Sequence, residues 1–222
     1  MRSAFVLVVV LCGCNSASTP TAPPPTAKTI RYLAVGDSFT IGTGSPQTSS
    51  FPSRLADRWK AAGCTVELKN VAVNGFTTED VIDEELPELG TFRPSFVTIA
   101  VGANDIVRGN TAEGYRVNTR KILAAVRASG AQVVVLPQPD WSRSPVAADF
   151  GDRESLASAI RRFNEILASE ATAAGARYVD LSPLMEKQAI EKQVASDGLH
   201  PSAAAYDAWA DALAKALPSP CP

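Results

Sequence analysis

One histidine, His200, stands in a chain of 222 residues, and that scarcity excludes a great deal. Metal-dependent phosphoester chemistry at Asp37, Asn104, Asp105 and His200 would normally draw on several His or Asp/Glu ligands, so a lone imidazole argues against it. Strong charge of either sign is also missing. The 21 Lys and Arg nearly balance the 23 Asp and Glu, and no long basic run exists, so nucleic acid is not an expected partner. The N-terminal apolar run, Ala4 to Leu11, is too short to span a bilayer as a stable helix. Cysteines number only 4, while 45% of the residues are hydrophobic. A core of ordinary size is therefore affordable without disulfide staples, in one domain or one domain plus a tail.

What the N-terminus does contain is an address. Arg2 is a minimal positive region, the apolar run follows, and Leu11-Cys12-Gly13-Cys14 closes it. This resembles a bacterial lipoprotein signal, with an aliphatic residue three before the cysteine and a small residue just before it. The resemblance implies cleavage after Gly13 and lipid attachment at Cys14. The alternative is a plain secretory signal cut between Asn15 and Ala22. Residues 14–28 are rich in Ser, Thr and Pro and have nothing to bury, so they read as a tether between a membrane and a soluble domain, 29–218. Cys64 and Cys221 then remain as an even pair in an oxidising compartment. A disulfide pinning the C-terminal tail to the end of the first long helix is the expectation.

From residue 29 onward, strand and helix patterns alternate. Strands are expected at 30–35, 65–73, 96–101, 133–136 and 178–181. Helices are expected at 51–62, from Thr77, at 111–129, 152–174, 183–195 and 201–217. Such alternation predicts an α/β fold. Its form would be a three-layer αβα sandwich on a flavodoxin-like parallel sheet of about five strands.

Each strand is followed by a polar cluster. These are Gly36-Asp37-Ser38, Asn74-Gly75, Gly102-Ala103-Asn104-Asp105 and, before the last helix, Asp197-Gly198-Leu199-His200-Pro201. In a parallel sheet the exits share one edge, where ligands collect. Asp197 precedes His200 by three residues, so one compact turn can hold the carboxylate against a ring nitrogen and leave the other nitrogen outward. Serine is a poor nucleophile without such a base. Ser38, His200 and Asp197 therefore supply the parts of a hydrolytic triad. The N–H groups of Ser38 and Gly75 and the amide of Asn104 are suitable donors for an oxyanion.

Taken in order, Gly36-Asp37-Ser38-Phe39, Gly75, Gly102-Ala103-Asn104-Asp105 and Asp197-Gly198-Leu199-His200-Pro201 resemble the four blocks of the SGNH hydrolases, also called GDSL-type esterases and lipases. Phe39 stands where the name motif has leucine. The resemblance covers about residues 30–217. It implies the SGNH hydrolase fold, Ser38 as nucleophile, His200 as base, Asp197 as its partner, and Ser38, Gly75 and Asn104 as the oxyanion hole. Asp37 and Asp105 would brace their loops. No cofactor or metal is implied, and the protein is expected to be a monomer.

The substrate is expected to be a small acyl ester, a lipid or an acylated glycan. Phe39, Phe76, Trp141 and Phe150 could line its pocket, although Trp141 fits equally well as a core-edge aromatic. Trp141→Ala is expected to alter chain-length preference more than stability. The Gly-x-Ser-x-Gly elbow of α/β-hydrolases is absent around Ser38. Acyl transfer or deacetylation on a polysaccharide would use the same triad, and a non-catalytic glycan-binding or partner-binding lipoprotein is the reading outside enzymes.

Overall fold

The computed structural model describes residues 29–218, Cys221 and the isolated Met1. The expected signal (1–13, Met1 apart), tether (14–28) and lipidation site Cys14 lie outside the described residues. In chain order the elements are β1 (Ile30–Gly36), α1 (Ser38–Ile41), α2 (Phe51–Ala61), β2 (Val66–Asn70), α3 (Thr78–Asp80), α4 (Glu88–Phe92), β3 (Phe96–Ala100), α5 (Ala103–Val107), α6 (Ala112–Ala128), β4 (Gln132–Val135), α7 (Arg153–Ala173), β5 (Arg177–Tyr178), α8 (Ser182–Ile190) and α9 (Ala203–Ala216).

The strands form one sheet in the order β2-β1-β3-β4-β5, and every pairing is parallel. Alternating side chains of β1 feed two cores, because successive strand residues point to opposite faces. Tyr32 and Ala34 join Phe96, Trp59, Trp209 and Leu213 on the face covered by α2 and α9. Leu33 and Val35 join Val97, Ile99, Leu123 and Leu167 on the face covered by α6 and α7. The sandwich expected from the alternation is the one observed. Glu170 on α7, buried between the outer helices, takes Arg116 and Arg120 of α6 at 2.6 Å each.

Several boundaries shift for local reasons. Strand β2 stops at Asn70 rather than reaching 73. The Asn70 amide donates to the Thr40 carbonyl at 2.9 Å, and its oxygen accepts from the Ala72 N–H at 3.2 Å, which turns the chain out of the sheet. Strand β5 has only two residues, since the Asp180 carboxylate already accepts from the Ser182 N–H at 2.9 Å and starts α8. Helix α8 ends at Ile190, not 195, and Lys192 beyond it takes a positive φ of 52°. The helix expected from Thr77 opens on a capping box of Thr77 and Asp80. It then widens into a π-helical turn, Val81–Glu85, before α4. Pro201 lies outside α9, in an antiparallel bridge to Val194, and Ser202 caps the helix.

Cys64, just past α2, is disulfide-bonded to Cys221, with Cα atoms 5.6 Å apart. That separation lies within the range of unstrained bridges. The bond ties the end of the chain to the layer that carries α9. Peptide mapping of unreduced protein should return the Cys64 and Cys221 peptides joined. Cys221→Ser should lower unfolding stability by about 2–4 kcal/mol in denaturant titrations; an unchanged midpoint would contradict a stabilising bridge.

Candidate active site

Ser38 is the first residue of α1, immediately beyond β1, and is 9% exposed. The chain reaches it through a turn only glycine tolerates. Gly36 has φ 154°, and a Cβ there would collide with the Ala100 carbonyl of the neighbouring strand. Asp37 caps α1, its Oδ1 accepting from the Phe39 N–H at 3.0 Å. Thr40 ties the turn to β3 by donating to the Ala100 carbonyl at 3.1 Å.

The histidine and aspartate arrive from the other end of the chain. His200 Nδ1 lies 2.8 Å from Asp197 Oδ2, while Asp197 Oδ1 accepts from the N–H groups of Leu199 at 2.9 Å and His200 at 3.0 Å. Burial opposes the charge on Asp197, but these N–H groups and the imidazole outweigh it and hold the carboxyl below its usual value. Backbone bonds close the turn from outside, Ala195 N–H to the His200 carbonyl at 2.7 Å and Ser202 N–H to the Gln193 carbonyl at 3.0 Å. The pair meets the serine segment directly. The Phe39 ring lies 5.3 Å from the His200 ring. A Cβ on Gly44 (φ 84°) would press on His200 Cβ at 3.1 Å and Asp197 Oδ2 at 3.2 Å. Tyr206 of α9 adds a hydroxyl bond to the Thr43 carbonyl at 3.3 Å.

The oxyanion candidates lie on the adjoining loops. Asn104 Nδ2 donates to the Phe76 carbonyl at 3.0 Å, which orients the amide and leaves its second N–H for another acceptor. Gly75 is held through its carbonyl by Arg108 at 2.9 Å. Asp105 braces the two loops by accepting from the Thr78 N–H at 2.9 Å, the Thr78 hydroxyl at 2.6 Å and the Asn110 amide at 3.0 Å. Asp37 and Asp105 thus have their carboxyl groups buried in the protein.

The aromatic candidates separate. Phe39 and Trp141 line one small apolar cavity of about 30 Å³, together with Leu199 and Pro201 on either side of His200. The Trp141 indole N–H and the Ser144 hydroxyl border it without a protein partner. Phe76 does not line this cavity; its carbonyl serves Asn104 instead. Phe150 is 40% exposed and packs edge-on against Trp141, with centroids 5.6 Å apart. Trp141 itself is 4% exposed and belongs to the core, so its loss to alanine would cost about 3–5 kcal/mol. That is more than the sequence expectation allowed.

Glu85 has no counterpart among the sequence candidates. It lies in the acidic run Asp83-Glu84-Glu85, which reads as a solvated helix face. It lies in the π-helical turn, four residues after buried Val81 and on the same buried side. It is 1% exposed, and Oε2 accepts from the Gly36 N–H at 2.8 Å, directly behind the serine turn. Burial raises its carboxyl from 4.5 to about 9, resisted by the Gly36 N–H and helped by the Asp37 charge. Burial likewise lifts Asp37 from 3.8 to about 7 against the Phe39, Gly102 and Ala103 N–H groups; the latter two act from longer range, and Oδ2 completes no hydrogen bond.

A parallel α/β sandwich with a serine at its first strand exit and a histidine–aspartate pair beside it defines a class of acyl hydrolase. The chain belongs to the GDSL-like Lipase/Acylhydrolase family, whose model matches residues 34–208. It is 29% identical over 215 residues to the arylesterase of Vibrio mimicus, covering 96% of each chain. Thioesterase 1/protease 1/lysophospholipase L1 of Escherichia coli (strain K12) is 26% identical over 188 residues, covering 83% of this chain and 82% of that one. The crystal structure of TesA superposes with a TM-score of 0.68 at 23% identity, covering 84% of this chain and 96% of the other, a likeness of fold.

The two raised carboxyls set a pH dependence. Both stay protonated in the folded chain after they have ionised in the unfolded one. The unfolded state therefore binds fewer protons between about pH 4.5 and 9, and stability falls as pH rises through that interval. Melting temperature should drop from about pH 5 to 9, and Glu85→Gln should flatten the drop. Identical slopes for both proteins would show that Glu85 ionises freely.

Proposed function

We propose that this protein is a serine hydrolase of short-chain carboxylic esters. Ser38 Oγ attacks the acyl carbonyl carbon while His200 Nε2 takes its proton. Asp197 holds the Nδ1 proton, fixes the tautomer and stabilises the imidazolium. The Ser38 and Gly75 N–H groups and the free Asn104 N–H receive the oxyanion. Collapse of the tetrahedral intermediate expels the alcohol, which takes its proton from His200. Water, activated by the same imidazole, then hydrolyses the acyl-enzyme. The observation carrying this reading is the 2.8 Å contact between His200 and Asp197 on the rim that Phe39 shares with Ser38. The names arylesterase and thioesterase/lysophospholipase borne by relatives agree with it.

The cavity beside Phe39 and Leu199 is the proposed acyl site. Its small apolar volume of about 30 Å³, bordered by residues next to Ser38 and His200 in the chain, supports a short acyl group. A short acyl group on a glycan hydroxyl is therefore a natural second substrate, and a sugar hydroxyl replacing water would turn hydrolysis into acyl transfer.

The chain is further proposed to be exported, cut after Gly13 and anchored through lipid on Cys14. The Cys64–Cys221 disulfide supports an oxidising compartment.

Two experiments test these assignments. Ser38→Ala and His200→Ala should each abolish turnover of p-nitrophenyl acetate without lowering the melting temperature, and Asn104→Ala should reduce kcat by about 10²–10³. Wild-type kcat/KM should fall from acetyl to octanoyl esters. Full activity in Ser38→Ala would refute the nucleophile, and a preference for octanoyl would refute the acyl site. For the anchor, mass spectrometry of membrane-extracted protein should find diacylglycerol on Cys14, lost in Cys14→Ser; an unmodified N-terminus between Asn15 and Ala22 would replace the anchor with simple secretion.

A further inference from the structure

A buried backbone N–H has to find an acceptor, and buried Gly36 lacks the one that a sheet would supply. Along β1, the backbone bonding groups face β2 and β3 by turns. The Ile30 N–H donates to the Thr65 carbonyl at 2.8 Å on the β2 side, and the Ala34 carbonyl accepts there from the Val71 N–H at 3.0 Å. Gly36 faces the same side two residues later, but β2 pairs no further than Asn70 with Ala34. Glu85 fills the gap, its Oε2 accepting the Gly36 N–H at 2.8 Å. The Glu85 carboxyl is 1% exposed, and its Oε1 has no hydrogen-bond partner among the described residues. Burying a carboxyl is costly, and this one is spent on a single amide two residues before Ser38.

The segment that carries Glu85 also holds the loops of the other two oxyanion donors. Asp105, next to Asn104, accepts from the Thr78 N–H at 2.9 Å and the Thr78 hydroxyl at 2.6 Å. Asp80 pairs with Arg108 at 3.7 Å, and Arg108 donates to the Gly75 carbonyl at 2.9 Å. Residues 77–85 thus connect to the Asn104 loop, the Gly75 loop and the serine turn at once, and the serine turn joins them through the bond from Gly36 to Glu85. Burial, with the Asp37 charge adding to it, keeps the Glu85 carboxyl protonated near neutral pH. The bond therefore places no charge behind Ser38.

We propose that Glu85 is a positioning residue for the oxyanion hole: by holding the Gly36 N–H, it sets the Ser38 N–H in register with the Gly75 N–H and the Asn104 amide. Glu85 touches no substrate and acts through Gly36. Register matters because a donor stabilises the transition state only where it is aimed at the developing oxyanion. The role rests on the hydrolase reading, with Ser38 as nucleophile.

The test is steady-state turnover of p-nitrophenyl acetate by Glu85→Gln, Glu85→Met and Glu85→Asp, beside wild type and Ser38→Ala, with a melting temperature for each. Glutamine keeps the acceptor and the neutral state. Methionine keeps a similar length and volume without the acceptor. Aspartate keeps the acid but withdraws it from Gly36 by one methylene. Glu85→Gln should hold kcat within about threefold of wild type. Glu85→Met and Glu85→Asp should each lower kcat at least about tenfold with KM within about twofold, the pattern of an interaction that acts in the transition state. If one of these two fails to fold, the other decides. Undiminished kcat in either folded variant, or loss of the fold in both, would overturn the proposal and leave Glu85 as a brace for stability alone. An equal loss in Glu85→Gln would overturn it by requiring the ionisable group itself, and a rise in KM with kcat unchanged would overturn it by moving the effect to substrate binding. Full activity in Ser38→Ala, or no turnover by wild type, would instead overturn the hydrolase reading and this role with it.

Discussion

In a parallel sheet every strand leaves at the same edge, and this constraint brings the site residues together. Register pairs Gly36 with Ala100 across β1 and β3, so Ser38 and the Asn104 loop emerge side by side. The β2 exit, on the other flank of β1, supplies Gly75. His200 comes from no strand. It is carried to the same edge by α9, whose Trp209 and Leu213 share a core with Phe51 and Trp59 of α2. Helix packing therefore positions the imidazole, and the Asp197 turn orients it.

Holding Ser38 at that edge requires polar groups in a dry place. The serine turn hangs on Glu85 from behind, on Asp37 at its cap and on Thr40 at its side. Burial penalises the charged form of both carboxyls, and the Asp37 charge adds to the cost at Glu85, so their protons stay on well above the ordinary carboxylate range. A neutral Glu85 adds no charge behind Ser38 and still accepts the Gly36 N–H. The Trp141 indole N–H and the Gln138 carboxamide are likewise buried, without a protein hydrogen-bond partner.

Much of this was legible in the chain. Glycine after an apolar run, with a serine two residues on, marks a strand exit. A three-residue spacing from Asp197 to the lone His200 marks a turn that can hold an imidazole. These are local signals, and the positions they named are the ones found at the edge. Phe76 and Glu85 were not legible. An aromatic in a loop carries no sign of which way it faces, and Phe76 contributes its carbonyl instead of its ring. Glu85 belongs to an acidic run whose charges suggest solvent, yet it stands four residues after buried Val81 and shares its buried side. Trp141 had two readings in sequence. In the structure it is a core residue that also borders the small apolar cavity beside Phe39.

The sequence by itself determined the alternation of strand and helix, the single parallel sheet and the candidate residues at its exits, because these depend on periodicity, breakers and short spacings along the chain. Tertiary structure alone decided which face each aromatic presents, how large the cavity beside Phe39 is, and that a glutamate lies behind the serine. Those properties depend on contacts between residues tens to more than a hundred positions apart, such as Gly36 with Glu85 and Phe39 with His200, and no local pattern encodes such distances.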